Sequence, residues 1–179
     1  MEKQDIEYVI EAHTRHAKKP SKAFRKWDGQ TPYWIHPMWC ATMIASETKL
    51  DKKTREEGSL VLLYHDILED TTASLPTHLE PRICEMVKQM TFPGGSAEEQ
   101  AKIWGMPEHI KLYKLYDKVH NLIDGAWMSS EKKAAYTGYL QKLSTIVMRQ
   151  YPNVELNILR SARWLDLGLA VSARDDNLK

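Results

Sequence analysis

The stretch Leu60-Val-Leu-Leu-Tyr-His65-Asp66-Ile-Leu68-Glu69-Asp70-Thr71 is the part of the chain that decides its fold. It begins as an apolar segment suited to burial, yet an imidazole and a carboxylate, those of His65 and Asp66, stand side by side within it. A buried carboxylate without a partner costs several kcal/mol. A divalent metal ion is the simplest compensating partner, because imidazole and carboxylate are both good ligands for such an ion.

Two acidic residues follow this pair. On a helix predicted over 54–69, Glu69 lies one turn beyond His65, and Asp70 lies one turn beyond Asp66. Four polar groups would then project from one helix end, as in an active site. A buried histidine followed by chance acidic residues is the structural alternative, and a lone His-Asp pair does not exclude it. Acidic residues at a helix C-terminus oppose the helix dipole, however, which disfavours that alternative.

Two other segments carry candidate ligands. Tyr33-Trp-Ile-His36-Pro37 supplies a histidine upstream, at the start of a helix predicted over 36–48. A later helix, predicted over 107–124, presents an apolar stripe for the core, formed by Leu112, Leu115, Val119 and Leu122. Asp117 lies on a different strip of this helix. A solvated polar face is the alternative there, but beside His36 and His65-Asp66 the prediction is that Asp117 is a metal ligand.

The order His36, then His65-Asp66, then Asp117 resembles the metal-dependent HD phosphohydrolase superfamily. The string from His65 to Thr71 is similar to the hydrolase domain of RelA/SpoT enzymes and their small stand-alone relatives, which cleave the 3′-pyrophosphate from ppGpp and pppGpp using manganese. Further matching pieces are Arg25-Lys26 upstream of Thr31-Pro-Tyr-Trp-Ile-His36-Pro37, and Lys114-Leu-Tyr-Asp117-Lys-Val-His-Asn121-Leu122. The resemblance covers residues from about 10 to 125.

This resemblance implies an all-α fold, an HD-type helical bundle. The length of the chain predicts a single domain, which we place over 1–171, and the last residues, 172–179, are expected to be a flexible tail. It implies the metal ligands His36, His65, Asp66 and Asp117, with Mn²⁺ as the metal and Fe²⁺ or Zn²⁺ as alternatives. Glu69 and Asp70 would be the catalytic acid and base. The residues expected to bind substrate phosphates are Arg25, Lys26, Lys114, Lys118 and Asn121.

The predicted function is therefore a (p)ppGpp 3′-pyrophosphohydrolase. An HD phosphohydrolase acting on dNTPs or nucleoside monophosphates is the alternative enzyme, and a non-catalytic nucleotide-binding regulator is the alternative of another class. The chain departs from the family pattern at Tyr116, where family members usually have Ala, and over 91–104. Trp34 and Trp39 add bulk near the first ligand, and Trp27 and Trp34 are the tryptophans expected to stack on a base.

Composition sets the class of molecule. The chain has 179 residues, of which 42% are hydrophobic and 27% charged, as in an ordinary globular domain. A net charge of +1 predicts no attraction to nucleic acid or an anionic membrane. Cys40 and Cys84 form no CxxC motif, which suits the reducing cytoplasm, the predicted location. The expected partner is a small-molecule nucleotide, with no nucleic acid and no membrane, and a homo-oligomer is left open.

The remaining pattern is also helical, with no alternating strand pattern. Helices are predicted over 4–18, 77–90, 96–104, 129–150 and 153–169, and the segment 19–34 is predicted to be a loop. The pattern Thr54-Arg-Glu-Glu57 predicts a capping box at the start of the 54–69 helix. The other histidines are interpreted as surface or core residues rather than ligands: His13, His16, His78, His109 and His120.

Overall fold

The computed structural model describes residues 1–152 and 156–164, and over these ranges the chain is built from α-helices. They are α1 (Lys3–Arg15), α2 (Ile35–Ala45), α3 (Lys52–Tyr64), α4 (Ile67–Asp70), α5 (Pro81–Met90), α6 (Gly95–Lys102), α7 (Glu108–Ile123), α8 (Ser130–Gln150) and α9 (Asn157–Trp164). Single 3₁₀ turns occupy Pro20–Lys22, Ile103–Gly105 and Gly125–Trp127. No β-strand occurs in the described ranges, which contain two isolated β-bridges. The all-α prediction is confirmed.

Helix α7 is the centre of the bundle. It contacts α2, α3, α5, α8 and α9, and its predicted apolar stripe is buried in a core that draws on α1–α5 and α7–α9. Because neighbours cover this helix on several sides, its polar strip is buried as well, including Lys114 and Asp117. The packing therefore places charged groups inside the protein, where they need partners.

The helix predicted over 54–69 is interrupted. Helix α3 ends at Tyr64, and α4 begins at Ile67, with His65 and Asp66 forming a turn between them. Nδ1 of His65 donates a hydrogen bond to the Leu62 carbonyl at 2.7 Å, which fixes the imidazole at the end of α3. The prediction of one continuous helix was wrong, because the apolar run carries no signal for this turn.

The start of α3 also differs from the prediction. Asp51, rather than Thr54, is the N-cap: its side chain accepts a hydrogen bond from the Thr54 amide at 2.9 Å, so the helix begins at Lys52. Helix α5 begins at Pro81 and not at 77, since proline is favoured at the first helical position, where its missing N–H is not needed.

Helix α1 ends at Arg15, before the predicted end at 18. The chain beyond it pairs with the segment after α4: the Thr72 amide donates to the His16 carbonyl at 2.8 Å, and the Lys18 amide donates to the Asp70 carbonyl at 2.9 Å. This pairing holds the following loop, residues 19–34, beside the end of α4.

The other predicted helices are present with small shifts at their ends. Helix α9 lies within the helix predicted over 153–169, and residues 153–155 and 165–169 are outside the described residues. The predicted tail at 172–179 and the predicted domain end at 171 are outside them too. Among the helices of the described ranges, none combines the length and the hydropathy needed to cross a bilayer.

A candidate metal centre and its adjoining cleft

Two imidazole nitrogens and two carboxylate oxygens converge on one point inside the bundle, and we call these four residues the metal centre. His36 Nε2 lies 3.3 Å from Asp117 Oδ1 and 3.6 Å from Asp66 Oδ2. His65 Nε2 lies 3.1 Å from Asp66 Oδ2 and 3.7 Å from Asp117 Oδ1. None of the four residues is more than 7% exposed. The structure thus brings together all four predicted ligands.

Local structure explains why these side chains meet. His36 is in the first turn of α2, and the following Pro37 is tolerated there because the first amides of a helix have no partner within it. His65 and Asp66 occupy the turn between α3 and α4, and Asp117 comes from the middle of α7. Since α2 packs against both α3 and α7, the three segments approach each other at this point.

The geometry fits a divalent metal ion. Ligand atoms about 2.0–2.2 Å from a shared ion lie roughly 3–3.6 Å from each other, close to the separations given above. His36 Nε2 and His65 Nε2 are buried, and neither has a hydrogen-bond partner among the described residues. Such orphaned nitrogens need a ligand. His36, His65 and Asp66 form a group that could hold a metal ion, and a mixed imidazole and carboxylate set suits Mn²⁺, Fe²⁺ or Zn²⁺.

The protonation of the metal centre follows from its burial. Burial alone would lower the pKa of His65, but the carboxylates of Asp66 and Asp117 raise it to about 10. Burial lowers the pKa of His36 to about 4. Burial would raise the pKa of Asp66, whereas the charge on His65 lowers it well below its ordinary value. The metal-free protein therefore carries a proton on His65 that an entering metal ion has to displace.

Three predicted substrate-binding residues contact Asp117, and of these only Asn121 also lines an open space. Lys114 and Lys118 place Nζ at 3.1 Å and 3.2 Å from Asp117 Oδ2, and Asn121 donates to Oδ1 at 2.6 Å. Both lysines also pair with Glu99 Oε2, at 3.4 Å and 2.9 Å. The side chain of Lys114 is only 2% exposed. These contacts orient Asp117 and keep it ionised, because the lysine charges outweigh the effect of burial and lower its pKa.

The two predicted catalytic acids of α4 have different surroundings. Glu69 Oε1 accepts a hydrogen bond from the Phe92 amide at 2.6 Å, and burial together with the charge on Asp66 raises the pKa of Glu69. Asp70 Oδ1 instead pairs with Lys22 Nζ at 2.5 Å. Glu69 thus has the electrostatic environment of an acid or base beside the metal centre, whereas Asp70 is tied to the loop.

A cleft adjoins the metal centre, and we call it the substrate cleft. Tyr33 and Asn121 lie on its boundary with the metal centre: the Tyr33 hydroxyl donates to Asp66 Oδ2 at 2.8 Å, and Asn121 bonds Asp117. The residues that line the cleft are Ser21, Lys22, Phe24, Arg25, Lys26, Tyr33, Asn121 and Trp127. The basic side chains among them make this cleft suited to an anionic ligand.

The two predicted phosphate-binding residues of the loop differ in burial and in their partners. Arg25 is buried, and its Nε donates to Asp124 Oδ2 at 2.7 Å while Nη2 donates to Asn121 Oδ1 at 2.8 Å. Lys26 is exposed and places Nζ 4.6 Å from the centroid of the Trp127 indole. No carboxylate lies within 4.0 Å of the Lys26 ammonium in residues 1–152 and 156–164, so it is available to an anion.

Several residues of this region were not singled out from the sequence. Trp127 lines the cleft, whereas Trp34 lines a separate apolar groove, and Trp27 is 50% exposed. Glu99 follows from no motif, since only the packing of α6 against α7 brings it to the lysines. His120 could have been found, because it lies one helical turn after Asp117.

Comparisons with known proteins support the fold. No family model matches the chain, and no curated protein matches it. A solved structure does match, that of a metazoan ortholog of SpoT described as hydrolysing ppGpp and playing a role in starvation responses. The match has a TM-score of 0.66 at 23% sequence identity and covers 92% of this chain and 94% of that one. The resemblance to the helical HD-type hydrolase fold is confirmed at the level of the fold.

Proposed function

We propose that the protein is a metal-dependent phosphohydrolase that releases pyrophosphate from the 3′ position of ppGpp and pppGpp. The observation that carries this proposal is the convergence of His36, His65, Asp66 and Asp117 on one buried point. A basic cleft adjoins this point, because Tyr33 and Asn121 line the cleft and bond to Asp66 and Asp117. The matching solved structure is that of a metazoan protein described as hydrolysing ppGpp, and this supports the choice of substrate.

The four residues of the metal centre would hold the ion. A divalent ion there would polarise the phosphoryl group and lower the pKa of the attacking water. The protein positions the ligands for this chemistry: His65 through the Leu62 carbonyl, and Asp117 through its lysines. Ligands held in this way need little reorganisation when the ion binds.

Glu69 is the residue proposed to move a proton. Its Oε1 is engaged by the Phe92 amide at 2.6 Å, which leaves Oε2 to take a proton from the attacking water. Because its pKa is raised, Glu69 is a better base than an exposed carboxylate, and it can return the proton to the leaving oxygen. Asp70 supports this arrangement through its ion pair with Lys22, which holds the loop against α4.

The cleft is proposed to bind the phosphate groups. Two nitrogens of the Arg25 guanidinium are fixed by Asp124 and Asn121, and Nη1 has no partner among the described residues. A fixed guanidinium presents its remaining donors to a phosphate oxygen at little entropic cost. Lys26 adds an exposed charge beside it, and cations in such places stabilise the negative charge of the diphosphate in the transition state.

One observation favours the alternative enzymatic function. Lys114 and Lys118 are paired with Asp117 and Glu99, so the cleft offers fewer free cations than the sequence suggested. A substrate with less charge than ppGpp, such as a dNTP or a nucleoside monophosphate, would need fewer free cations in the cleft. The non-catalytic regulator is the outcome in which the protein binds nucleotide and metal without turnover.

The proposal is tested by kcat/KM of the manganese-loaded protein for ppGpp, pppGpp, the four dNTPs and the nucleoside monophosphates. We expect ppGpp or pppGpp to be the best substrate, with pyrophosphate and GDP or GTP as products. If a dNTP or monophosphate is better by more than about tenfold, equivalent to about 1.4 kcal/mol, the alarmone assignment is wrong. Binding without hydrolysis of any nucleotide would establish the regulator instead.

A further inference from the structure

We infer that His120 is the positioning residue of the metal ligand His36: the Nδ1–H of His36 donates to Nδ1 of His120, and this bond directs Nε2 of His36 at the metal. This inference rests on the proposed metal-dependent function. It assigns a role to a histidine that the sequence pattern left among the ordinary core residues.

The contact between the two rings has the geometry of an in-plane hydrogen bond. The Nδ1 atoms of His36 and His120 lie 2.5 Å apart, and the rings are inclined by only 17° with centroids 4.8 Å apart. This centroid separation is close to the nitrogen separation plus the two ring radii. The rings therefore lie edge to edge in nearly one plane, so each nitrogen meets the other along its lone-pair direction.

Metal binding decides which ring donates. A neutral imidazole that uses Nε2 as a ligand carries its proton on Nδ1, and this proton needs an acceptor in a buried site. Cys40 Sγ is the other candidate near His36 Nδ1, but it lies at 3.8 Å and its own contact is to the Tyr116 carbonyl. His120 must therefore accept at Nδ1 and carry its proton on Nε2.

The ring of His120 is itself held in place. Trp39 stacks on it, with centroids 4.3 Å apart and planes inclined by 22°. Trp39 lies three residues after His36 on α2, and His120 lies three residues after Asp117 on α7. The hydrogen bond and the stack thus connect the two helices that carry His36 and Asp117. His36 is held both by its backbone in α2 and by the hydrogen bond at Nδ1, so its side chain loses less conformational freedom when the ion binds.

The test uses two variants of nearly equal shape, His120→Asn and His120→Leu. The asparagine side chain can place an acceptor oxygen where Nδ1 of His120 lies, whereas leucine cannot. The dissociation constant for Mn²⁺ is measured by titration calorimetry on chelator-stripped protein, together with the melting temperature of the metal-free protein. The control is His109→Leu, a substitution of the same residue type on α7 away from the metal centre.

We expect His120→Leu to bind Mn²⁺ about 10- to 100-fold more weakly than wild type, the range found when the partner of a ligating histidine is lost. His120→Asn should recover most of this affinity, and His109→Leu should bind as wild type. A purely structural His120 would lower the melting temperature of the metal-free protein and leave the dissociation constant unchanged, which would overturn the inference. Equal weakening by leucine and asparagine would overturn it as well.

A second measurement needs no variant. Nitrogen-15 NMR of the zinc-loaded wild type reports the tautomer of each histidine, and we expect a proton on Nδ1 of His36 and on Nε2 of His120. A proton on Nδ1 of His120 would overturn the inference even if the leucine variant fails to fold. If the wild type binds neither Mn²⁺ nor Zn²⁺, the proposed metal-dependent function is wrong, and the inference is wrong with it. If the wild type and His120→Leu both bind these ions with equal affinity, only the inference is wrong.

Discussion

The metal centre and the substrate cleft share Tyr33 and Asn121 as a boundary, yet they are built differently. The metal centre takes its side chains from α2, α7 and the turn between α3 and α4, and all of them are buried. The cleft is formed largely by the loop at 19–34 and the 3₁₀ turn Gly125–Trp127, and its Phe24 and Trp127 are 42% and 37% exposed. Helix packing thus positions the proposed metal ligands, whereas a loop and a turn form the proposed substrate site.

A substitution beside the metal centre should reduce turnover most while leaving the cleft unchanged. We expect Glu69→Gln to lower kcat about 100- to 10,000-fold, because a positioned proton-transfer group is lost. Manganese content, measured by elemental analysis, should stay at the wild-type value, and Glu85→Gln serves as the control because this glutamate is exposed on α5. Loss of the metal in Glu69→Gln would mean that Glu69 is a ligand and that its proposed role is wrong.

A substitution in the cleft should lower kcat/KM by different factors for different substrates. Arg25→Ala removes hydrogen bonds from a charged donor, each worth about 1.5–3 kcal/mol, so we expect kcat/KM for ppGpp to fall about 10- to 100-fold. The loss for a nucleoside monophosphate should be smaller, and manganese affinity should be unchanged. Lys19→Ala, in the exposed part of the same loop, is the control. An equal loss for both substrates would show that Arg25 supports the fold rather than selecting the diphosphate.

The metal centre should also respond to pH in a way that the cleft does not. The pKa of His65 in the metal-free protein is raised from its ordinary value of 6.5 to about 10, while that of His36 is lowered to about 4. Between pH 6 and 8 only His65 then has to lose a proton when the metal binds, so manganese affinity should rise about tenfold per pH unit.

The same linkage has a consequence for stability. A raised histidine pKa stabilises the metal-free protein below about pH 6.5, and this contribution is lost as the pH rises towards 10. The shift in melting temperature caused by Mn²⁺ should therefore grow from pH 6 to pH 8. A dissociation constant and a shift that are both independent of pH would contradict the assigned charge on His65.

The four residues that converge in the metal centre could be picked out from the sequence, because each belongs to a local motif on a predicted helix. His36 precedes Pro37, His65 and Asp66 end an apolar run, and Asp117 lies on a polar strip of α7. The break at His65 was not predictable, since the apolar pattern continues through it. Glu99 was not predictable either, because its contacts depend on how α6 packs against α7, and sequence patterns describe single helices only.

Tyr116 shows how a departure from the family pattern can be structural. It follows Leu115 in the buried part of α7, and its hydroxyl donates to Glu47 Oε1 at 2.5 Å. Glu47 also accepts hydrogen bonds from the amides of Asn157 and Ile158, at the start of α9. The tyrosine therefore links α7 to the start of α9 away from the cleft, so this substitution gives no reason to change the proposed substrate.

Metal content tests the central claim most directly. Protein purified without chelator is analysed for its elements, stripped with a chelator, and melted with and without added Mn²⁺. The metal centre predicts about one divalent ion per chain, and an ion present at 100 times its dissociation constant should stabilise the native state by about 2.7 kcal/mol. The His65→Ala variant should show neither the ion nor the shift. Wild-type protein that contains no divalent metal, and whose melting temperature does not change on adding Mn²⁺, would contradict the account.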